Sequence, residues 1–216
     1  MRISKEPEER RNEILDAADE LFGRKGFDGT STNDILAKVG IARGTLYYHF
    51  KSKEDIMDAL IERYNIRLLH VARETASDKS IPVNERITRV VMGLNINGAS
   101  DQEIMEHIHK PQNALMHQKI QKAILAGVTP ILADIIREGI EQGLFTTPFP
   151  YECMEMAVAY ANTVFDEDMA AMSGEERATR IQAFVFHVER MLGAESGSFV
   201  PFVMRMFGGG NGEGHE

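Results

Sequence analysis

Apolar residues recur every three to four positions along most of the chain, the spacing that places them on one face of an α-helix. The segment "PEERRNEILDAADELFGRKG" carries such a stripe at Ile14, Ala17, Ala18, Leu21 and Phe22. No segment alternates apolar and polar residues in the way that predicts a β-strand, and no internal repeat is present. The pattern therefore predicts an all-α protein.

Capping residues mark a group of short helices near the beginning of the chain. Ser31, followed three residues later by Asp34, is a capping-box pattern that opens a short helix ending at Gly40. The segment "ARGTLYYHF" predicts a second short helix, and Ser52 opens a long one that runs on for several turns. Two short helices joined by a glycine turn form the outline of a helix-turn-helix, which predicts an N-terminal three-helix domain over residues 1–52.

The rest of the chain predicts longer helices. Helical spacing continues through residues 53–76, as a linking helix, and then through 82–96, 100–110, 111–143, 151–172 and 174–193. Gly127 and Pro130 predict an interruption in the fourth of these segments. We expect a second, larger helical domain over residues 53–196. Residues 197–216 form an apolar and then glycine-rich tail, for which partial disorder is expected, although the apolar part has the composition to dock on the body or on a partner.

The aromatic run Tyr47–Phe50 divides between two faces of its short helix. At about 100° per residue, Leu46 and Phe50 fall on one side and are expected to be buried. The opposite face carries Gly44, Thr45, Tyr48 and His49, while Arg43 and Tyr47 lie at the flank. This outward face suits a DNA groove, because hydroxyl and imidazole groups donate to phosphates and a glycine permits close approach. The alternative is a surface helix whose aromatic rings pack against a neighbour.

The stretch "TSTNDILAKVGIARGTLYYHFKSKEDIMDALI", residues 30–61, resembles the signature of TetR-type (tetracycline-repressor-like) transcriptional regulators. The resemblance implies a homodimer that binds a near-palindromic DNA operator and is released by a small molecule bound in the second, ligand-binding and dimerisation domain. It also implies groove or base contacts from Arg43, Gly44, Thr45 and Tyr48, phosphate contacts from Thr32, Tyr47, His49 and Lys53, and either kind from Asn33. One departure is Ala42, where the motif commonly has Ser or Thr; the missing hydroxyl cap costs about 1 kcal/mol.

Charge and composition are compatible with that interpretation. The net charge is −9, yet basic residues slightly outnumber acidic ones up to Lys53, and attraction to phosphate is local at physiological salt. Cys153 is the one cysteine, which fits a reducing cytoplasm, and neither a signal peptide nor a membrane-spanning run is expected. No nucleophile elbow, phosphate loop or His-Glu-x-x-His motif occurs, so neither an enzyme nor a cofactor is predicted.

Two helices of the second domain have apolar residues on more than one face, which predicts a dimer interface. In residues 174–193 the core stripe includes Ile181, Val185 and Leu192, whereas Phe186 lies off it. In the preceding helix Met156, Tyr160 and Thr163 occupy a face away from the core stripe. Two such helices from each subunit can pack as a four-helix interface. The alternative is a thick core within a single chain.

The effector pocket is the least determined feature. Flexible methionines and polar residues on apolar stretches are the candidates: Met92, Asn95, His107, Asn113, Met116, His117, Tyr160 and Asn162. Core filling, helix capping and solvent exposure are the competing interpretations. A metal site at His107, His109 and His117 is not predicted, because His107 and His109 diverge on one helix. The sequence thus favours a ligand-responsive regulator, most simply a repressor, over a helical small-molecule- or metal-binding interaction protein that does not read DNA.

Overall fold

The computed structural model describes residues 6–95, 113–165 and 172–201, with side chains described up to residue 91 in the first range. These residues form eight α-helices and no strand, so the all-α prediction is confirmed for them. The helices are α1 (Pro7–Lys25), α2 (Thr32–Val39), α3 (Arg43–His49), α4 (Lys53–Ser77), α5 (Val83–Asn95), α6 (Ala114–Glu141), α7 (Pro150–Val164) and α8 (Gly174–Leu192). None of the helices in these ranges is long and apolar enough to cross a membrane.

The described chain divides into two compact units. The first contains residues 6–67 and 113–123, and the second contains residues 68–95, 124–165 and 172–201. The first unit therefore continues past the predicted boundary at residue 52, because Ile56, Met57 and Leu60 of α4 belong to the same apolar cluster as α1–α3. Met116 of α6 completes that cluster. The helices α4 and α6 each contribute residues to both units.

Local signals set the ends of the short helices in the first unit. The predicted capping box is present: Ser31 Oγ accepts from the Asp34 N–H, and the Asp34 carboxylate accepts from the Ser31 N–H at 2.8 Å. Hydrogen bonds from Lys25 and from Ser31 hold the pKa of Asp34 well below its usual range. Gly40 ends α2 at φ 73°, a left-handed conformation that glycine adopts without strain. This turn sets α3 apart from α2.

A buried ion pair joins α5 to α6 in the second unit. The Arg86 side chain is almost fully buried and donates to both oxygens of Glu138, at 2.8 and 2.5 Å. Arg86 also donates to the carbonyls of Ala76 and Ile81, which satisfies its guanidinium. The hydrogen bonds from Arg86 and Lys79 lower the pKa of Glu138 to about 2. The network ties the end of α4, the following loop and α6 around one carboxylate.

The predicted interruption near Gly127 and Pro130 is wrong, because α6 is continuous from Ala114 to Glu141 with Pro130 inside it. Packing explains Gly127: a Cβ there would lie 2.7 Å from a methyl carbon of Leu69 on α4, so glycine permits the close approach. Val128, Thr129 and their neighbours in the following turns are buried. Tertiary packing therefore outweighs the missing hydrogen bond donor of the proline.

The start of the predicted tail is part of the second core. Phe199 is buried and stacks on Phe145, with ring centroids 6.1 Å apart. The buried carboxylate of Glu189 accepts hydrogen bonds from the N–H groups of Gly197 and Phe199, both at 2.9 Å. Residues 197–201 are thus ordered against α8, while the remaining tail lies outside the described residues.

Candidate functional site

The short helix α3 is anchored by one face and offers the other to solvent. Leu46 and Phe50 are 1% and 2% exposed and belong to the first apolar cluster. Tyr48 is 76% exposed and Tyr47 is 47% exposed. The predicted burial of Leu46 and Phe50 and the predicted exposure of Tyr48 are confirmed. His49, which was predicted to point outward, is instead half-buried. Single exposed apolar residues are common on protein surfaces, but two adjacent exposed tyrosine rings form a patch that is available for a contact.

The remaining candidates on α2 and α3 are exposed or half-buried. Arg43, Gly44 and Asn33 are exposed, and Thr32 and Thr45 are half-buried. An Arg43 amino group lies 3.5 Å from the Asn33 side-chain oxygen, a long contact that leaves both side chains able to reorient. A Cβ added at Gly44 would meet nothing within 4 Å. No packing contact among the described residues requires glycine there, whereas close approach of an external surface would.

His49 is half-buried at the end of α3, and its ring contacts the Tyr48 ring edge-on at 4.9 Å between centroids. Burial lowers the pKa of His49, and the positive charges of Arg11 and Arg10 lower it further. The imidazole is therefore neutral near pH 7 and can donate one hydrogen bond to an acceptor.

Lys53 is already engaged within the protein. Its ammonium donates to the carbonyls of Phe27 at 2.6 Å and Thr30 at 2.9 Å, and it lies 4.1 Å from the centroid of the Phe27 ring. An ammonium has three N–H donors, so these two bonds leave one for a phosphate. Lys53 thus holds the loop between α1 and α2 in addition to the predicted phosphate contact, a role that the sequence did not indicate.

The recognition-type helix α3 begins without a side-chain cap. Ala42 occupies the N-cap position in an extended conformation, φ −75° and ψ 153°, and no side chain bonds to the first turn. The hydroxyl cap that is missing at Ala42 is therefore not replaced by a side chain of any other described residue.

The described effector-pocket candidates fall into different compact units. Asn113, Met116 and His117 belong to the first unit, whereas Tyr160 and Asn162 belong to the second. Asn113 is buried, accepts from the Phe27 N–H at 2.9 Å and donates to the Phe22 carbonyl at 3.3 Å. Both bonds go to main-chain groups at the end of α1 and just after it. They favour the interpretation of Asn113 as a capping residue over its interpretation as part of an effector pocket. Met116 fills the core of the first unit.

The candidates Met92 and Asn95 lie on α5 but their side chains are outside the described residues, and His107 lies outside them altogether. His117 is half-buried on α6. Among the residues that the structure does describe, no group of three or more His, Cys, Asp or Glu is placed to hold a metal ion.

The helices α7 and α8 enclose a shallow apolar groove of about 310 Å³. Tyr160 stacks on Phe184 at 5.4 Å between centroids and meets Phe165 edge-on at 5.5 Å. Other lining residues are Met156, Ala157, Ala183, His187, Val188 and Met191. We call this surface the α7–α8 groove. Met156 and Phe186 are about half exposed, and Thr163 is exposed with its hydroxyl bonded to the Ala159 carbonyl. The predicted interface residues thus present apolar area to solvent.

Comparison with known families distinguishes a DNA-binding regulator from a helical interaction protein that does not bind specific DNA sequences. Residues 14–60 match the model of bacterial regulatory proteins of the tetR family, and residues 96–187 match that of the tetracyclin repressor-like C-terminal domain. The fatty acid metabolism regulator protein of Bacillus subtilis (strain 168) is 30% identical over 134 residues, which is 61% of this chain and 68% of the relative. The chain belongs to the TetR family.

A second relative supports this membership, and two solved structures share the fold. The HTH-type transcriptional regulator TtgR of Pseudomonas putida is 28% identical over 149 residues, covering 64% of this chain and 71% of TtgR. The structure of SmeT, the repressor of the Stenotrophomonas maltophilia multidrug efflux pump SmeDEF, aligns with a TM-score of 0.63 at 21% identity, over 88% of this chain and 93% of SmeT. FadR from Bacillus halodurans aligns with a TM-score of 0.61 at 19% identity, over 97% and 100% of the two chains.

TetR-family membership establishes the general function of the protein. The protein is a ligand-responsive transcriptional regulator, and regulators of this family bind DNA operators and act as dimers with small-molecule effectors. The matched N-terminal model spans α2, α3 and the first turns of α4, the elements that carry the DNA-contact candidates.

Proposed function

We propose that this TetR-family regulator is a repressor that binds a near-palindromic operator as a homodimer, with one α3 helix of each protomer in a major groove. The observation that carries the proposal is the exposed face of α3, where Tyr48 is 76% exposed beside an unobstructed Gly44. Groove or base contacts come from Arg43, Gly44, Thr45 and Tyr48, and contacts to the phosphate backbone come from Thr32, Tyr47, His49 and Lys53. Asn33 supplies a contact of either kind.

Dimerisation places the two recognition helices at the spacing of the half-sites. The α7–α8 groove supplies the interface, with Met156, Tyr160, Thr163 and Phe186 in contact with the same surface of the partner. Two of the relatives are named for fatty acid metabolism or degradation and another for a multidrug efflux pump. From these relatives we carry over one property to the proposal: a small molecule that binds in the second unit lowers the affinity of the protein for DNA. A regulator of this kind works in the cytoplasm, where it reaches DNA, and needs neither cofactor nor catalytic activity.

The test is a footprinting and anisotropy experiment on labelled duplexes that tile the DNA upstream of the protein's own gene. We expect a protected, near-palindromic site for the wild type and at least a tenfold loss of affinity for Tyr48→Ala, because the homodimer loses two groove contacts worth about 1–3 kcal/mol each. Phe149→Ala, which removes a ring that is 62% exposed in the second unit, is the matched control and should bind as the wild type. A wild type that protects no site in any tile would refute the proposal.

The effector is identified by ligand-induced stabilisation. A thermal-shift screen of hydrophobic compounds, biosynthetic intermediates and metal ions should return a class that raises the melting temperature by mass action. The same compounds should lower affinity for the protected duplex. Compounds that stabilise the protein but leave DNA binding unchanged would contradict release by an effector.

A further inference from the structure

Arg11 lies beside the recognition helix although it comes from α1. Its guanidinium carbon is 5.1 Å from the centroid of the Phe50 ring, and Phe50 is the buried residue at which α3 ends. Arg11 itself is exposed. A guanidinium that stacks on an aromatic face is held in place by the ring while its N–H edge stays open to solvent.

The charge of Arg11 is not neutralised by the described part of the protein. Its neighbour Arg10 forms an ion pair with Glu13 at 2.6 Å, whereas no carboxylate pairs with Arg11 among the described residues. Burial is the largest cause of the lowered pKa of His49. The positive charges of Arg11 and Arg10, both on α1, lower this pKa further. The helices α1 and α3 therefore bring basic side chains together at the end of α3. Among them, the Arg11 guanidinium has no paired carboxylate in the described part of the protein.

We propose that Arg11, together with His49, binds a phosphodiester of the DNA backbone beside the recognition helix. A planar guanidinium can donate two parallel hydrogen bonds to phosphate oxygens, and the imidazole N–H supplies another from the second helix. Because the Phe50 ring already restricts the guanidinium, less side-chain freedom is lost when the phosphate is bound. Arg11 thus fixes how α3 enters the groove and carries no base preference.

The inference rests on the proposed function, since it requires that α3 meets DNA. A simpler role for Arg11 is structural, because a cation near a helix C-terminus interacts favourably with the terminal carbonyl groups and with an aromatic ring. The two roles differ in what they change. A structural role alters stability, whereas a phosphate contact alters the dependence of DNA affinity on salt.

The experiment compares Arg11→Gln with Arg10→Gln, its neutralised neighbour, by fluorescence anisotropy from about 50 to 200 mM salt. The probes are a labelled random-sequence duplex of about 30 base pairs and the protected upstream duplex. For Arg11→Gln we expect roughly a tenfold loss of affinity for each protomer on both duplexes, since a hydrogen bond to a charged group is removed. The slope of log affinity against log salt should fall by about 0.9 for each protomer. Arg10→Gln should change the slope by less than half as much.

A third variant separates charge from packing. Arg11→Lys keeps the charge but loses the two-bond geometry, so it should retain the wild-type salt slope while binding more weakly. Thermal melting of all variants identifies any that are unfolded at the assay temperature, and the salt titration of such a variant is repeated at a lower temperature at which it is folded. Equal slopes for the wild type, Arg11→Gln and Arg10→Gln would overturn the inference and leave the proposed function intact. A wild type without salt-dependent binding to either duplex would overturn both.

Discussion

At the residue scale, Lys53 shows how one side chain combines a structural and a binding role. Its ammonium bridges the carbonyls of Phe27 and Thr30, both in the buried loop that joins α1 to α2. Removal of the ammonium would leave two partly buried acceptors without that donor. A loss of DNA binding on mutation of Lys53 therefore does not by itself identify a phosphate contact.

Replacement of Lys53 by Met should lower stability as well as DNA affinity. We expect the free energy of unfolding to fall by about 1–3 kcal/mol, because the two carbonyl groups lose their shared donor. Urea denaturation measures the change, with Lys51→Met as the control, since Lys51 is exposed two residues earlier. Tyr48→Ala should stay within about 0.5 kcal/mol of the wild type. If Lys53→Met and Lys51→Met unfolded at the same urea concentration, the bridging role would be refuted.

His49 should make DNA binding depend on pH. Its pKa is lowered in the free protein, by burial and then by Arg11 and Arg10, whereas an adjacent phosphate favours the charged imidazolium and raises it in the complex. The additional affinity is then fully present below the free-protein pKa and is lost as the pH rises through the pKa of the complex. Each unit between the two pKa values is worth a tenfold change for each histidine.

Anisotropy titrations from about pH 5.5 to pH 8 test this, because that window brackets the ordinary pKa of histidine. Affinity should decrease with rising pH for the wild type and for the control His70→Gln, an exposed histidine on α4 in the second unit. In His49→Gln most of the dependence should disappear. An unchanged pH profile in His49→Gln would assign the effect to another group.

The division of α3 into a buried and an exposed face was predictable from the sequence, because burial there follows helical periodicity, as Leu46 and Phe50 show. The carbonyl contacts of Lys53 and the role of Asn113 were not predictable, because those bonds join residues 23 to 91 positions apart. Glu189 was missed for a related reason. It lies on the polar side of the sequence pattern, and its partners are backbone N–H groups of a segment predicted as tail.

At the element scale, the uncapped start of α3 offers a direct gain in stability. Ala42 has the extended backbone conformation that an N-cap residue requires. Ala42→Ser should therefore raise the free energy of unfolding by about 0.5–1 kcal/mol, as the hydroxyl accepts from an N–H of the first turn. Urea denaturation measures the gain.

The control is Ala37→Ser, at an exposed position inside α2, where serine should lower stability by a few tenths of a kcal/mol, about 0.5 at most. A stability of Ala42→Ser equal to or below that of the wild type would show that the first turn of α3 is satisfied in another way.

The ends of α2 were predictable from local signals. The capping box at Ser31 and the glycine end at Gly40 are local, so the sequence contains them in full. The continuity of α6 through Pro130 was not predictable in the same way, since the outcome depends on burial and on the close approach of Gly127 to Leu69. The predicted end of α7 was also too late, because the helix stops at Val164.

At the scale of the whole molecule, the α7–α8 groove should control the oligomeric state. Met156→Glu with Phe186→Glu places charges on a surface that we propose is buried between protomers, and unpaired charges there oppose association. Sedimentation at about 10 μM should show a monomer with loss of operator affinity, since the two half-sites are no longer bound by one linked molecule.

Phe149→Glu is the matched control, because its ring is at least as exposed yet is not among the predicted interface residues, and it should remain a dimer. Circular dichroism establishes that the double variant is folded. A double variant that sediments as a dimer would place the interface elsewhere.

The family followed from about a quarter of the chain and the all-α class from helical periodicity along most of it, whereas the composition of the two units did not follow from either. Residues 53–67 belong to the first unit, and so do residues 113–123, which come after the first, shorter segment of the second unit in sequence. Sequence patterns report local periodicity and cannot show that a distant helix end completes an earlier core. The placement of Asn113 and Met116 in the first unit is an example, since both were candidates for the effector pocket.

The bonds of Asn113 and the burial of Met116 also bear on the order of events during protein synthesis. The apolar cluster of the first unit lacks Met116, and α1 lacks its amide partner, until the ribosome has made just over half of the chain. At about 5–20 residues per second, the delay between residue 67 and residue 116 is roughly 2–10 s. The DNA-reading unit is thus the first to emerge, but it stays incomplete while part of the second unit is translated. For those seconds, its exposed apolar surface is a potential substrate for chaperones.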